Sequence, residues 1–317
     1  MKRILILLLI VTSVISCKKE EELKKEDELI PEVKEPHLIY ESTFGISGTG
    51  LGEFRLQQGN VYPGTFALNS TNMFIKDIHN HRIQRVNLDL TPVDWFGYNN
   101  NWGFHTQAVE GADSITPRNI FLKNNYLYAT QSMINRILLK VNLQTGQIEK
   151  RYKFNLFVNS FAVDGDHNIY TYETDNHILS KYNDNGDSLI SWGGYGSAIG
   201  KFNTVDPQII IDNSNNIYVC DAGNKRIQKF TASGQYLSSW TVNVNSTIYG
   251  SFDIYEENIF IVEGNFLSKY DLNGILLKKY EIPFSYFIQN RFKVYNTNKV
   301  IVEYSYSNEF KVFKMQD

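Results

Sequence analysis

The chain has 317 residues, with 31 Lys and Arg against 34 Asp and Glu and a formal net charge of −3. That balance disfavours nucleic acid as a partner, because such binding is led by neutralising phosphates. Two cysteines, Cys17 and Cys220, are too few for a disulfide framework.

Lys2 and Arg3 precede an apolar run from Ile4 to Ile15. About a dozen apolar residues cannot cross a bilayer of roughly 30 Å as a helix, so the run reads as the core of a secretory signal. Val14-Ile15-Ser16-Cys17 resembles a bacterial lipobox, which implies cleavage before Cys17 and lipid on its thiol. Residues 1–16 are therefore expected to be a lipoprotein signal peptide. Residues 17–36 are expected to be a lipidated charged tether, too polar to bury a core alone. Lys18-Lys19 followed by Glu20, Glu21 and Glu22 resembles the surface-export signal of some Gram-negative lipoproteins. The expected location is the outer membrane, with outer-membrane lipid as a partner through Cys17 and the domain displayed at the cell surface. A merely solvating stalk is the other reading of the same charges.

From residue 37 the chain alternates short apolar runs with turn residues, the pattern of an all-β domain. A first strand spans 38–44. Strands follow in sets of four: 64–68, 72–77, 82–87 and 92–97; 118–122, 125–130, 136–142 and 147–153; 159–164, 168–173, 178–183 and 188–193. Two more sets are 207–212, 216–221, 226–231 and 235–241, then 250–255, 258–263, 266–271 and 275–281. Thr145-Gly146, Asn185-Gly186, Ser233-Gly234 and Asn273-Gly274 mark hairpin turns between third and fourth strands. The last set has three strands, 291–295, 299–304 and 309–314, and its missing fourth is supplied by 38–44.

Residues 72–86, NMFIKDIHNHRIQRV, return at 216–230 as NIYVCDAGNKRIQKF and in weaker form at 168–182 as NIYTYETDNHILSKY. A recurring unit of this size means repeat architecture. Asp77, Asn80, His81, Arg82, Ile83 and Gln84, repeated as Asp221, Asn224, Lys225, Arg226, Ile227 and Gln228, resemble the NHL repeat. That resemblance implies a β-propeller over 37–317, and the strand sets, with 38–44 completing the last, make it six-bladed, of four-stranded antiparallel blades. Its ring is closed by the N-terminal strand pairing in the last blade, which hides open sheet edges. The glycine-rich stretches 45–54 and 193–202 then read as links between blades, since each precedes a strand and not a helix.

Residues that recur are assigned to the scaffold. Asp77 and Asp221 should accept hydrogen bonds within loops, with Arg82 and Arg226 beside them. Trp95, Trp192 and Trp240 are read as one recurring position that packs blade on blade. Cys220 is expected to be a small buried hydrophobe.

The break in the repeat is the candidate site. Residues 98–117 form a long connection carrying Tyr98, Trp102, Phe104 and His105, and long connections are often functional. In a propeller this connection shares a face with 78–81, 174–177, 195–206 and 222–225. His79, His81, His177, Tyr195 and Lys225 stand there, with Arg118 and Gln208 at the mouth of the channel. The ligand set expected from this is Trp102, Tyr98, Phe104, His105, His79, Arg118 and Gln208, facing a glycan, peptide or protein. No G-x-S-x-G, phosphate loop or HExxH occurs, and the His spacing is not that of metal ligands. The sequence is thus read as a non-catalytic binding module needing no cofactor or metal. The alternative is a metal-dependent lactonase-like hydrolase or peptidylglycine-lyase-like enzyme on the same scaffold.

Overall fold

Short runs rich in β-branched and aromatic residues, punctuated by Gly and Asn, leave the chain little choice but strands. A computed structural model describes residues 35–56, 66–77, 80, 82–97, 117–131, 136–155, 158, 160–205, 207–244, 252–282, 291–304 and 308–317. At 96–97, 117–118 and 131 only the backbone is described. Residues Pro36–Gln316 make one compact unit.

The strands before the first sheet are β1 His37–Phe44, β2 Ile46–Ser47 and β3 Glu53–Phe54. Sheet 1 is β4 Phe66–Leu68, β5 Asn72–Asp77, β6 Arg82–Asn87 and β7 Pro92–Gly97. Sheet 2 is β8 Pro117–Lys123, β9 Tyr126–Gln131, β10 Ile137–Asn142 and β11 Ile148–Lys153. Sheet 3 is β12 Ser160–Val163, β13 Ile169–Glu173, β14 Ile178–Tyr182 and β15 Ser188–Gly193. Sheet 4 is β16 Ile209–Ile211, β17 Ile217–Asp221, β18 Arg226–Phe230 and β19 Tyr236–Thr241.

The remaining strands are β20 Phe252–Tyr255, β21 Asn258–Glu263, β22 Phe266–Asp271, β23 Leu276–Glu281, β24 Phe292–Tyr295, β25 Lys299–Tyr304 and β26 Glu309–Gln316. With β1 they form an eight-stranded sheet in the order β20-β21-β22-β23-β1-β26-β25-β24. The fold is all-β, with propeller-like sheets. The expected pairing of 38–44 with the last strand is present: β1 runs antiparallel to β26 from His37↔Gln316 to Phe44↔Phe310. On its other side β1 touches β23 through one parallel pair, His37↔Glu281.

Each set runs up and down. One face, here the lower, therefore carries the turns from first to second and from third to fourth strands. The upper face carries the second-to-third turns and the links between sheets. Second strands such as β5 and β17 are buried along nearly their whole length, since neighbouring sheets cover both their faces. Fourth strands such as β15 and β19 lie at the rim and stay largely open. The link 45–54 also contains a short parallel pair, β2 with β3, that the sequence did not announce.

Sheets lock together through aromatic rings on glycine turns. A Cβ on Gly234 would stand 2.8 Å from the Trp192 ring, and one on Gly274 would stand 2.3 Å from Trp240. Each ring belongs to one sheet and each glycine to the next. Both glycines have positive φ, so only glycine suits the turn and the contact together. Trp192 and Trp240 thus fill the packing role expected of them.

Trp95 does not share that position. Trp192 pairs with Leu179 and Trp240 with Ile227, whereas the equivalent Ile83 pairs with Phe96. Trp95 pairs with Gln84, one residue away, and a one-residue offset in a strand turns the side chain to the opposite face. There its ring lies under Arg82, with the guanidinium carbon 4.5 Å from the ring centroid.

Candidate functional site

The repeated motif builds the same clasp twice. Asp77, wholly buried, accepts Arg82 Nε at 2.7 Å and the Arg55 N–H at 2.7 Å. Asp221 accepts Arg226 Nε at 2.8 Å and the Asn203 N–H at 2.7 Å. Asn80 Nδ2 reaches the Gly48 carbonyl, and Asn224 Nδ2 reaches that of Gly196. Gln84 Oε1 accepts the Gly52 N–H, as Gln228 Oε1 accepts that of Gly200. The Asp, Asn, Arg and Gln of both copies are thereby engaged in holding a glycine-rich link, which is a scaffold role. In the third copy Glu173 replaces the Asp and accepts Asn176 Nδ2 at 2.7 Å.

The lower face carries a second recurring device that the sequence reading did not isolate. Asp164 accepts the N–H groups of Asp166 and Asn168 and the Tyr170 hydroxyl. Asp212 does the same with Ser214, Asn216 and Tyr218. Its signal is Asp-x-x-x-Asn-Ile-Tyr, present at 164–170 and 212–218. Between sheets 2 and 3, Asp184 accepts Lys140 Nζ at 2.9 Å, Lys150 Nζ at 2.6 Å and the Tyr152 hydroxyl at 2.7 Å. Burial raises its pKa, but hydrogen bonds from Lys150, Lys140 and Tyr152 outweigh that and hold it down at about 2.

With these groups engaged in the scaffold, the candidate site is the central cavity of about 580 Å³. Its wall is drawn from β4, β8, β12, β16, β20 and β24, the first strand of every set. Apolar and aromatic side chains dominate it, among them Phe66, Phe121, Phe161, Ile210, Ile254 and Phe292. Asn119, Ser160 and Gln208 hold one register position, each one residue before the pairs Ile120↔Ala129, Phe161↔Thr171 and Ile209↔Val219. Arg291 stands just before β24. Mid-cavity, Asp253 accepts Lys293 Nζ at 2.5 Å and the Val294 N–H at 2.9 Å. Tyr295 also lines the space, and burial, aided by the charge of Glu41, pushes its phenol up to about 12. A mostly apolar wall with a few convergent polar groups is what small-ligand sites present. Among its described lining residues there is no His and no Cys.

Of the residues singled out in the sequence, Gln208 lines this cavity, and its Oε1 also accepts the Phe252 N–H at 3.2 Å. Arg118 precedes Asn119 in β8, described by backbone alone. Trp102, Tyr98, Phe104, His105, His79, His81 and Cys17 lie outside the described residues. His177 accepts or donates at 2.9 Å through Nδ1 to the Tyr172 hydroxyl, and its ring centroid is 5.2 Å from that of Tyr195. Lys225 closes a single 3-10 turn over Ala222–Asn224 in the left-handed conformation. Cys220 is buried as expected, and burial, with Asp221 and Glu263 adding, pushes its thiol up to about 12. Asn119, Ser160 and Arg291 were missed. Their signal was available, since each stands at or near the start of a first strand as Gln208 does.

Among the described residues no group of three or more His, Cys, Asp and Glu is placed to hold a metal ion. The architecture and axial cavity define the chain as a β-propeller protein. No family model matches it, and no curated protein matches it. Among solved structures it is similar to a streptogramin B lyase, with a TM-score of 0.56 and 10% identity over 89% of this chain and 88% of that one. It is similar also to virginiamycin B lyase from Staphylococcus aureus. A catalytically inactive variant with Quinupristin gives a TM-score of 0.56 at 11% identity, covering 89% of this chain and 100% of that one. The selenomethionine-substituted form gives 0.55 at 11%, covering 89% and 99%. At such identity the likeness speaks to fold alone.

Proposed function

We propose that residues 37–317 are a six-bladed propeller of NHL type that binds a small ligand on its axis and performs no chemistry on it. The observation that carries this is the cavity of about 580 Å³, lined by all the first strands and by Asn119, Ser160, Gln208 and Arg291. The count of six takes the eight-stranded sheet as two blades, β20–β23 and β24–β26 with β1, joined through a single parallel pair. Consecutive first strands neighbour one another from β4 to β24. Phe66 in the first set meets Phe310 in the last at 5.4 Å between ring centroids, which supports a closed ring. On the cavity wall the Asp253 carboxylate is committed to Lys293 and the Val294 N–H.

The proposal extends to the ends and the upper face. Cys17 carries lipid, residues 17–36 tether the domain to the outer membrane, and the domain faces the cell exterior. Trp102, Tyr98, Phe104, His105, His79 and Arg118 add an aromatic and cationic contact surface for the same ligand, a glycan or peptide.

The likeness to two lyases favours a second reading, a lyase- or lactonase-like enzyme on this scaffold. One experiment separates the two. A glycan and peptide array selects a ligand, which is then incubated with protein supplied with Mg, Ca or Zn. The binding reading expects its mass unchanged after prolonged incubation. Cleaved or eliminated product overturns it in favour of the enzyme.

A further inference from the structure

The lower end of the cavity is lined from the turns between first and second strands, and its charges there are few. Lys123 ends β8 just before such a turn, Glu256 lies within the turn after β20, and Asn69, Asn213 and Asn296 come from three other turns. Lys123 and Glu256 therefore belong to the second and fifth sets, three places apart in the order β4, β8, β12, β16, β20, β24. In the ring proposed above, on which this inference rests, they oppose each other across one mouth.

Packed sheets stand about 10 Å apart, so a ring of six first strands is roughly 20 Å across, and two inward side chains take up about half of that. The remaining gap of roughly 10 Å is the length of three extended residues at about 3.3–3.6 Å each. A cavity of about 580 Å³ falls within the usual range of roughly 300–1,000 Å³ for a ligand of this order. The wall between the charges is aromatic and aliphatic, with Phe121, Tyr255 and Tyr295 on it, and it asks for apolar side chains. The Asn213 and Asn296 amides match peptide N–H and C=O groups, since each carries both a donor and an acceptor, while Asn69, whose Oδ1 accepts the Thr71 and Asn72 N–H groups, offers its Nδ2 as a donor.

We propose that the lower mouth of the cavity takes a short apolar peptide of three or four residues with both termini free, lying across it and apart from the upper-face contacts. Its carboxylate sits at Lys123 and its ammonium at Glu256. No bond is made or broken. Lys123 is half-buried and Glu256 exposed, so the Lys123 end is the better shielded of the two, where a hydrogen-bonded ion pair is worth more than at open surface.

Calorimetric titration of the folded protein with Leu-Ala-Leu, its N-acetylated form and its C-amidated form tests this. Glu256 already holds a positive φ of 54°, so lysine there adds no new backbone strain. Blocking either terminus should weaken binding at least tenfold, as should K123E or E256K alone. The double exchange K123E/E256K should recover most of the loss, because the peptide can enter turned end for end. Equal binding of free and blocked peptides, or a double exchange as poor as the sum of its parts, overturns the proposal. If Leu-Ala-Leu does not bind while an array-selected glycan does, the peptide assignment falls and the axial binding reading stands. If neither binds, both fall.

Discussion

Asp221 is fully buried and accepts hydrogen bonds from the Asn203 N–H, Asn224 Nδ2, Arg226 Nε and Gln228 Nε2. Removing it strands the mostly buried Arg226 guanidinium, and breaking such a pair costs about 3–5 kcal/mol. Asp221→Ala should therefore lower stability in urea by about that amount, with the far larger share of loss expected here than at a rim charge. Gly234 and Gly186 form a finer contrast. Both have positive φ, but a Cβ would meet the Trp192 ring at 2.8 Å in the first and Tyr152 only at 3.4 Å in the second. Gly234→Ala should cost about 2–4 kcal/mol, from left-handed strain plus overpacking, and Gly186→Ala about 1. Equal melting of the two variants would contradict the ring-on-glycine lock. Asp184 supplies a pH test. Its folded pKa of about 2 lies below the ordinary value of 3.8, so its contribution is full above the latter and is lost as pH falls towards the former. The group is partly open to solvent, so the contribution is about 1–2 kcal/mol after screening. The stability gap between wild type and Asp184→Asn should hold above pH 4 and close near pH 2; a constant gap through that window would remove the Asp184 argument. At this scale the clasp was legible because its residues repeat. Trp95 was misread although the spacing carries the offset: the motif recurs after 144 residues, which sets Trp240 against Phe96 and leaves Trp95 one residue out of phase, as the cross-strand pairing also has it.

The strands themselves were legible almost to the residue, because turn chemistry and apolar runs agreed with one another. Less visible was the register shift that every third–fourth pair carries at one place, as between Lys181 and Tyr182 or Lys229 and Phe230. A bulge inserts no signature residue of its own, only an extra position. The β2–β3 pair escaped notice for a related reason: two-residue strands have no periodicity to read. β1 is the element with most at stake. It covers the edge of β26 over residues 37–44 and brings Phe44 to 5.5 Å from Phe54. Deleting residues 37–45 should bare that edge and cause aggregation or a large loss of thermal stability. Deleting only the charged segment 18–35 should change melting little. Matching melts for the two truncations would sink the closed-ring account.

On the scale of the whole molecule, repetition made the architecture readable and asymmetry hid the site. The sequence drew attention to the long connection 98–117, whose Trp102 was expected on the upper face. The structure adds a cavity running on the axis, whose polar lining at Asn119, Ser160 and Arg291 comes from single residues in strands far apart in the chain. Their position at or near the start of a first strand was readable, but that they face one space shows only when the sheets are placed side by side. On the proposed reading of Trp102 as a ligand contact, Trp102→Ala should leave melting nearly unchanged and weaken ligand binding; unfolding of that variant would assign Trp102 to the scaffold. The most direct test of the axial site fills it. Leu68 and Ile254 both line the cavity and are half-buried, so tryptophan at either occupies ligand space at a stability cost of about 1–3 kcal/mol. Titration of the array-selected ligand into Leu68→Trp and Ile254→Trp, each confirmed to melt cooperatively, should show binding at least tenfold weaker than wild type in both. Undiminished binding in two folded, filled variants would contradict the axial site.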